Sequence, residues 1–166
     1  MAPLLPLLRR DLPSLAATEA LAAAVARLAR HGDAILLEGP LGAGKTAFAR
    51  AFLRAATGDP ALDVPSPSFT LVQSYETRLG PVHHFDLWRL DGPAALAELG
   101  WDEASDDIVL VEWPERLGHL CPAAEAPTTL TVRLAAVPGE ETPDEHTEDT
   151  RHALLTGWPD RIGLLA

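Results

Sequence analysis

Ala34-Ile35-Leu36-Leu37-Glu38, followed without a break by Gly39-Pro40-Leu41-Gly42-Ala43-Gly44-Lys45-Thr46, is the stretch that decides the fold. Gly39 and Gly44 are separated by four residues, and Lys45-Thr46 follow at once, so every fixed position of the phosphate-binding P-loop pattern is filled. The apolar run 34–38 reads as a buried strand. Residues 45–57 read as a helix ended by Gly58, with Phe48, Phe52 and Ala55 or Ala56 facing inward. Strand, glycine loop and helix is the context the pattern requires.

The loop's chemistry follows from its composition. A triphosphate presents several oxygens close together, and only a backbone free of side-chain bulk can turn successive N–H groups toward them. The helix start adds unpaired N–H donors and the positive end of its dipole. The candidate nucleotide-binding set here is Gly39, Leu41, Gly42, Ala43, Gly44, Lys45, Thr46 and Ala47. The Lys45 ammonium reaches toward the β and γ phosphates, and the Thr46 hydroxyl is placed for Mg2+. Lys45 is the only lysine in the chain, against twelve arginines. A planar guanidinium would not fit where a narrow ammonium must sit among phosphate oxygens, so the exception has a chemical reason.

Length and composition set the bounds. A chain of 166 residues, 47% hydrophobic, fits one soluble domain over 1–166 with a real core. The net charge of −11 disfavours a broad electrostatic footprint on nucleic acid, so any RNA would be met through another protein. Cys121 stands alone, which excludes an internal disulfide framework and suits a reducing cytoplasm. The apolar start is short, broken by Pro3 and Pro6, and carries its charges after the apolar part. That is the wrong order for a signal peptide, and no later run approaches a membrane span; an edge strand or frayed terminus is expected.

Along the chain, residues 18–30 read as an alanine-rich helix packing on a sheet, with Leu21, Val25 and Leu28 on one face and His31-Gly32 as its stop. Pro67 keeps residues 66–68 extended. Strands over 69–75 and 82–86, joined around Gly80, read as a hairpin that leaves Asp86 at a strand end; Pro93 opens a short helix that Gly100 closes. Ile108-Val109-Leu110-Val111 reads as a strand buried on both faces with Glu112 at its C-terminal edge, where ligands of open α/β sheets collect. Residues 128–134 suit a further strand. An acidic, proline-containing run at about 138–150 reads as a solvated loop.

A magnesium nucleotide needs an acid near the metal, usually at the end of a strand beside the P-loop strand. The choice lies between Asp86 and Glu112; the cleaner strand favours Glu112 on the metal shell and leaves Asp86 near the γ-phosphate. His83 and His84 are adjacent on a strand, point to opposite faces and cannot jointly grip a metal, so packing is expected of both. Trp88, Trp101 and Trp113 are also expected to pack. The chain has no asparagine, which excludes the Asn-Lys-x-Asp base selection of GTPases, and no dense arginine pair suggests a kinase lid.

Four stretches in this order, Leu41-Gly42-Ala43-Gly44-Lys45-Thr46, Ser66-Pro67-Ser68-Phe69-Thr70-Leu71-Val72, His84-Phe85-Asp86-Leu87-Trp88-Arg89-Leu90 and Val111-Glu112-Trp113-Pro114, resemble the TsaE family. Its members, also called YjeE, are P-loop ATPases of bacterial tRNA threonylcarbamoyladenosine synthesis. The resemblance, over about residues 12–134, implies an α/β, P-loop NTPase-like three-layer fold with a mostly parallel central sheet flanked by helices. It implies ATP or ADP with Mg2+ as cofactors, and TsaB and TsaD as partners. TsaD carries out the transfer to tRNA, while slow ATP hydrolysis by TsaE resets the complex. It further implies Thr46 and Glu112 on the metal, and Asp86 with Lys45 and Thr70 in hydrolysis. Ser66, Pro67, Ser68, Thr70 and Trp113 would form a nucleotide-responsive switch, and Leu15 would lie near adenine. Pro40 and Ala47 depart from the family's usual acid and hydroxyl, and Leu15, Ala16 and Ala17 replace its usual acids. A kinase passing the γ-phosphoryl group to a small metabolite and a nucleotide-dependent adaptor are the alternatives.

Overall fold

The computed structural model describes residues 4–136 and 150–166. Seven strands form one sheet: β1 Leu7–Leu12, β2 Ala34–Glu38, β3 Val72–Thr77, β4 Gly80–Asp86, β5 Ile108–Glu112, β6 Thr129–Ala136 and β7 Arg151–Gly157. Their spatial order is β1-β7-β6-β2-β5-β4-β3. The middle four, β6-β2-β5-β4, run parallel; β7 lies antiparallel between β1 and β6, and β3 antiparallel on β4. The sheet is therefore parallel at its centre, where both faces are covered and strands read as unbroken apolar runs.

Two helices, α1 Leu15–Leu28 and α2 Lys45–Thr57, cover one face. Leu21 and Val25 of α1 and Phe48, Phe52 and Leu53 of α2 meet Ile35, Leu37, Leu110, Val132 and Leu155 there. The other face packs Leu36, Phe85, Val109 and Val111 against a 3-10 turn Pro93–Leu96, the one-turn α3 Trp101–Ala104 and a 3-10 stretch Pro114–Leu120. Each fully buried Leu, Ile or Phe stabilises by about 1.5–3 kcal/mol relative to exposure. The three-layer α/β arrangement expected from the sequence is present, and β2, α2 and β5 have the expected bounds.

Several boundaries differ. α1 begins at Leu15 because the Ser14 hydroxyl accepts the Ala17 N–H at 3.1 Å. It ends at Leu28 because Ala29 is already extended, leaving His31-Gly32 in the loop beyond. The strand expected over 69–75 starts only at Val72, since the Leu71 N–H donates to Pro67 O at 2.7 Å and closes a turn. The helix expected to run from Pro93 to Gly100 is a 3-10 turn, with α3 beginning after Gly100. The start of the chain supplies the edge strand β1. The acidic run at about 138–150 lies outside the described residues except for Thr150, and β7 beyond it was not anticipated.

Candidate nucleotide site

The parallel register places the functional side chains. Asp86 aligns with Glu112 across β4–β5, and Glu112 with Leu37 across β5–β2, so both acids and the loop leaving β2 share one strand edge. Gly39 passes so close to β6 that a Cβ there would lie 2.4 Å from Leu134 O. That approach is why the first loop position admits only glycine. Gly44, at φ 104°, turns the chain into α2 with no side-chain cap, so the helix's first N–H groups face the loop.

A cleft of about 370 Å³ opens here, lined by residues that include Leu41, Gly42, Gly44, Lys45, Thr46, Ser66, Ser68, Asp86, Trp88, Glu112 and Trp113. The buried Lys45 ammonium donates to Gly39 O at 2.5 Å and Pro40 O at 2.8 Å, and stands 4.0 Å from the Trp113 ring centre. Burial pushes it below the ordinary lysine range, while the Glu112, Glu115 and Asp86 charges pull the other way. The Thr46 hydroxyl donates to Glu112 Oε1 at 2.8 Å. Asp86 Oδ2 accepts from the Ser66 hydroxyl at 3.1 Å, and its Oδ1 from the Trp88 N–H at 3.1 Å.

Most of the sequence-derived residues converge. Leu41, Gly42, Gly44, Lys45, Thr46, Ser66, Ser68, Asp86, Glu112 and Trp113 all line the cleft. Ala43 is buried in the loop, and Ala47 follows Thr46 in α2. Pro67 is buried beneath the turn it accepts from. Thr70 is exposed in that turn and does not line the cleft, and Leu15, 44% exposed at the start of α1, does not line it either.

Of the tryptophans, Trp101 packs edge-on against Phe85, as expected, whereas Trp88 and Trp113 meet with ring centres 4.4 Å apart and planes tilted by 40°, as a wall of the cleft. Trp113 sits at φ 60° and Leu71 at φ 68°, left-handed backbone that costs a non-glycine residue about 1 kcal/mol or more. Both flank the site.

Sequence reasoning missed two residues. His84 is fully buried, with Nε2 2.7 Å from Glu112 Oε2, so it orients the acid rather than merely packing. Strand alternation was the available signal, since His84 and Asp86 share a face. Arg151, at the start of β7, donates to Gly42 O at 3.1 Å and Ala43 O at 3.2 Å. No pattern in the sequence pointed to it.

The oxygen donors fit a hard divalent cation beside a phosphate: a hydroxyl and a carboxylate already in contact, with Asp86 on the next strand. No group of three or more His, Cys, Asp or Glu side chains among the described residues is arranged as a metal cage. No helix among them is long and apolar enough to cross a membrane.

A family model described as "Threonylcarbamoyl adenosine biosynthesis protein TsaE" matches residues 12–142. The chain is similar to proteins named tRNA threonylcarbamoyladenosine biosynthesis protein TsaE. That of Rickettsia felis is 39% identical over 62% of this chain and 60% of its own length. That of Bacillus subtilis is 36% identical over 63% and 65%, and that of Aquifex aeolicus 39% over 60% and 71%. The match thus spans less than two thirds of the Rickettsia felis and Bacillus subtilis proteins. The crystal structure of YdiB from Bacillus subtilis superposes with a TM-score of 0.72 at 26% identity, covering 99% of this chain and 94% of that one. The P-loop at the parallel edge, the two acids beside it and these likenesses converge: the chain belongs to the TsaE family of threonylcarbamoyl adenosine biosynthesis proteins.

Proposed function

We propose that the chain is the ATP-binding, slowly hydrolysing subunit of an assembly with TsaB and TsaD that makes threonylcarbamoyladenosine at position 37 of tRNA. The observation that supports it most is the meeting of Lys45, the Thr46–Glu112 pair and the Ser66–Asp86 pair in one cleft at the parallel strand edge. ATP is held by the loop N–H groups and by Lys45, which exchanges its carbonyl partners for phosphate oxygens. Thr46 and Glu112 would hold Mg2+, which would supply positive charge against the phosphates. Asp86 orients the attacking water, its own carboxylate fixed by Ser66 and the Trp88 N–H.

The Ser66 bond also ties residues 66–70 to the catalytic acid, so a change at the γ-phosphate moves a surface segment that partners can read. In this reading the protein works in the cytoplasm, hydrolysis resets the complex between rounds, and tRNA is met only through TsaB and TsaD. Purified chain with ATP and magnesium should hydrolyse almost nothing alone and much more with both partners added. Phosphoryl transfer to a small metabolite, indifferent to the partners, would replace this reading with a kinase; partner binding with ATP but no hydrolysis would leave only an adaptor.

A further inference from the structure

We propose that Arg151 is a positioning residue for the phosphate cradle: it clamps two successive P-loop peptides by their oxygens and so keeps their N–H groups turned to the inside of the loop. The inference deepens the nucleotide-binding reading and rests on it.

The geometry is specific. Arg151 is the first residue of β7, set opposite Ala136 of β6 and Leu12 of β1. Its Nη1 donates to Thr150 O at 2.8 Å, which anchors the guanidinium to its own strand. The other edge of the fork reaches across 108 and 109 residues of sequence, Nε to Ala43 O at 3.2 Å and Nη2 to Gly42 O at 3.1 Å. Two parallel donors on two consecutive carbonyls is a match only a planar guanidinium makes.

In a planar trans peptide the N–H points opposite to the C=O. Holding Gly42 O therefore turns the Ala43 N–H away from Arg151, and holding Ala43 O does the same for the Gly44 N–H. For Ala43 that side is the loop interior: its N–H donates to Pro40 O at 3.1 Å, the same oxygen that takes the Lys45 ammonium. Gly42 and Gly44 have φ of 79° and 104° and no heavy atom near a would-be Cβ. Neither conformation is enforced by side-chain packing at the glycine, so an outside constraint is needed to remove the backbone freedom glycine brings. Arg151 is such a constraint, and it adds a positive charge behind the cradle. It lies beyond residues 12–142, the stretch that the family model matches.

The test uses the full chain, wild type and Arg151→Ala and Arg151→Lys, with folding checked by circular dichroism. In nucleotide-free protein the amide exchange rates of Ala43 and Gly44 should rise about tenfold or more in Arg151→Ala, with Phe52 in the interior of α2 unchanged. Affinity for ATP and for ADP should fall about tenfold in Arg151→Ala, and Arg151→Lys should restore only part of it, because an ammonium cannot hold both carbonyls. Unchanged exchange, unchanged affinity, or full rescue by lysine with steep salt dependence would each overturn the clamp, the last by showing that charge alone suffices. Failure of the wild type to bind ATP would instead remove the nucleotide reading, and the exchange rates would still decide whether Arg151 fixes the loop.

Discussion

Glu112 has two carboxylate oxygens and two partners, Thr46 on one and His84 on the other. Asp86, on the adjacent strand, is held by the Ser66 hydroxyl and the Trp88 N–H instead. The difference in partners separates their roles. Asp86→Ala should leave ATP affinity within about threefold of wild type and cut partner-stimulated turnover by about 10² or more, the usual worth of a general base or water-orienting acid. Glu112→Gln should shift the magnesium dependence of ATP binding to higher concentration. ATP affinity and partner-stimulated turnover check the first and a titration of affinity against magnesium the second, and equal loss of binding in the two variants would show the division to be wrong. The placement of both acids at one strand edge was legible in the sequence because each ends a strand pattern. His84 was not legible as Glu112's partner, because a strand pattern gives the face a side chain takes but not the neighbour it meets. Arg151 was less so, since its contact depends on a loop and a strand more than a hundred residues apart.

Among the elements, those with strong local signals came out as expected: β2, α2 and β5 are set by apolar runs, a glycine loop and Gly58 at φ 71°. The misplaced ones had their boundary decided by a single bond, Ser14 to Ala17 for α1 and Leu71 to Pro67 for β3. β7 was missed because Ala153 and Gly157 weaken its apolar alternation. Away from the site, Asp107 joins three elements: one oxygen takes His31 at 2.9 Å, from the loop after α1, and the other takes His83 of β4 at 3.0 Å, which also meets Ser74 of β3 at 2.7 Å. These two histidine bonds hold the Asp107 carboxyl below the ordinary aspartate value of 3.8. Because the folded pKa is the lower one, the unfolded chain binds more protons in between. The contribution is therefore fully present above about pH 4 and is lost as pH falls through the lowered value. Asp107→Asn should show a shallower acid limb in urea midpoints measured from about pH 6 to pH 2, converging with wild type at the acid end; parallel curves would remove Asp107 from the account.

For the molecule as a whole, the chain's end is fastened to its first third. Arg161, buried, donates to both oxygens of buried Asp33 at 2.7 and 2.9 Å and to Leu28 O at 2.8 Å, with its guanidinium 4.0 Å from the Trp158 ring centre. A buried pair contributes little net stability over an apolar replacement, but removing one member strands the other charge. Arg161→Ala should therefore lower unfolding free energy by about 3–5 kcal/mol in urea titrations, and combining it with Asp33→Leu should recover part of that loss. The strand, glycine loop and helix around 34–57 could be read from the residues and the three-layer plan from the family resemblance, whereas this closure could not be read at all, because a lone arginine near a terminus carries no pattern.

Lys45 holds a last consequence, one of time rather than affinity. Its ammonium must part from Gly39 O and Pro40 O before a phosphate can take their place. On the proposed nucleotide reading, capture should therefore be a two-step event whose observed rate bends to a ceiling as ATP rises, however fast the encounter. Trp113, 4.0 Å from that ammonium, makes the step visible as a change in indole emission under rapid mixing. A hyperbolic rate profile would measure how often the loop lets go of its own lysine, and a straight line up to the diffusion regime would show that release never limits it.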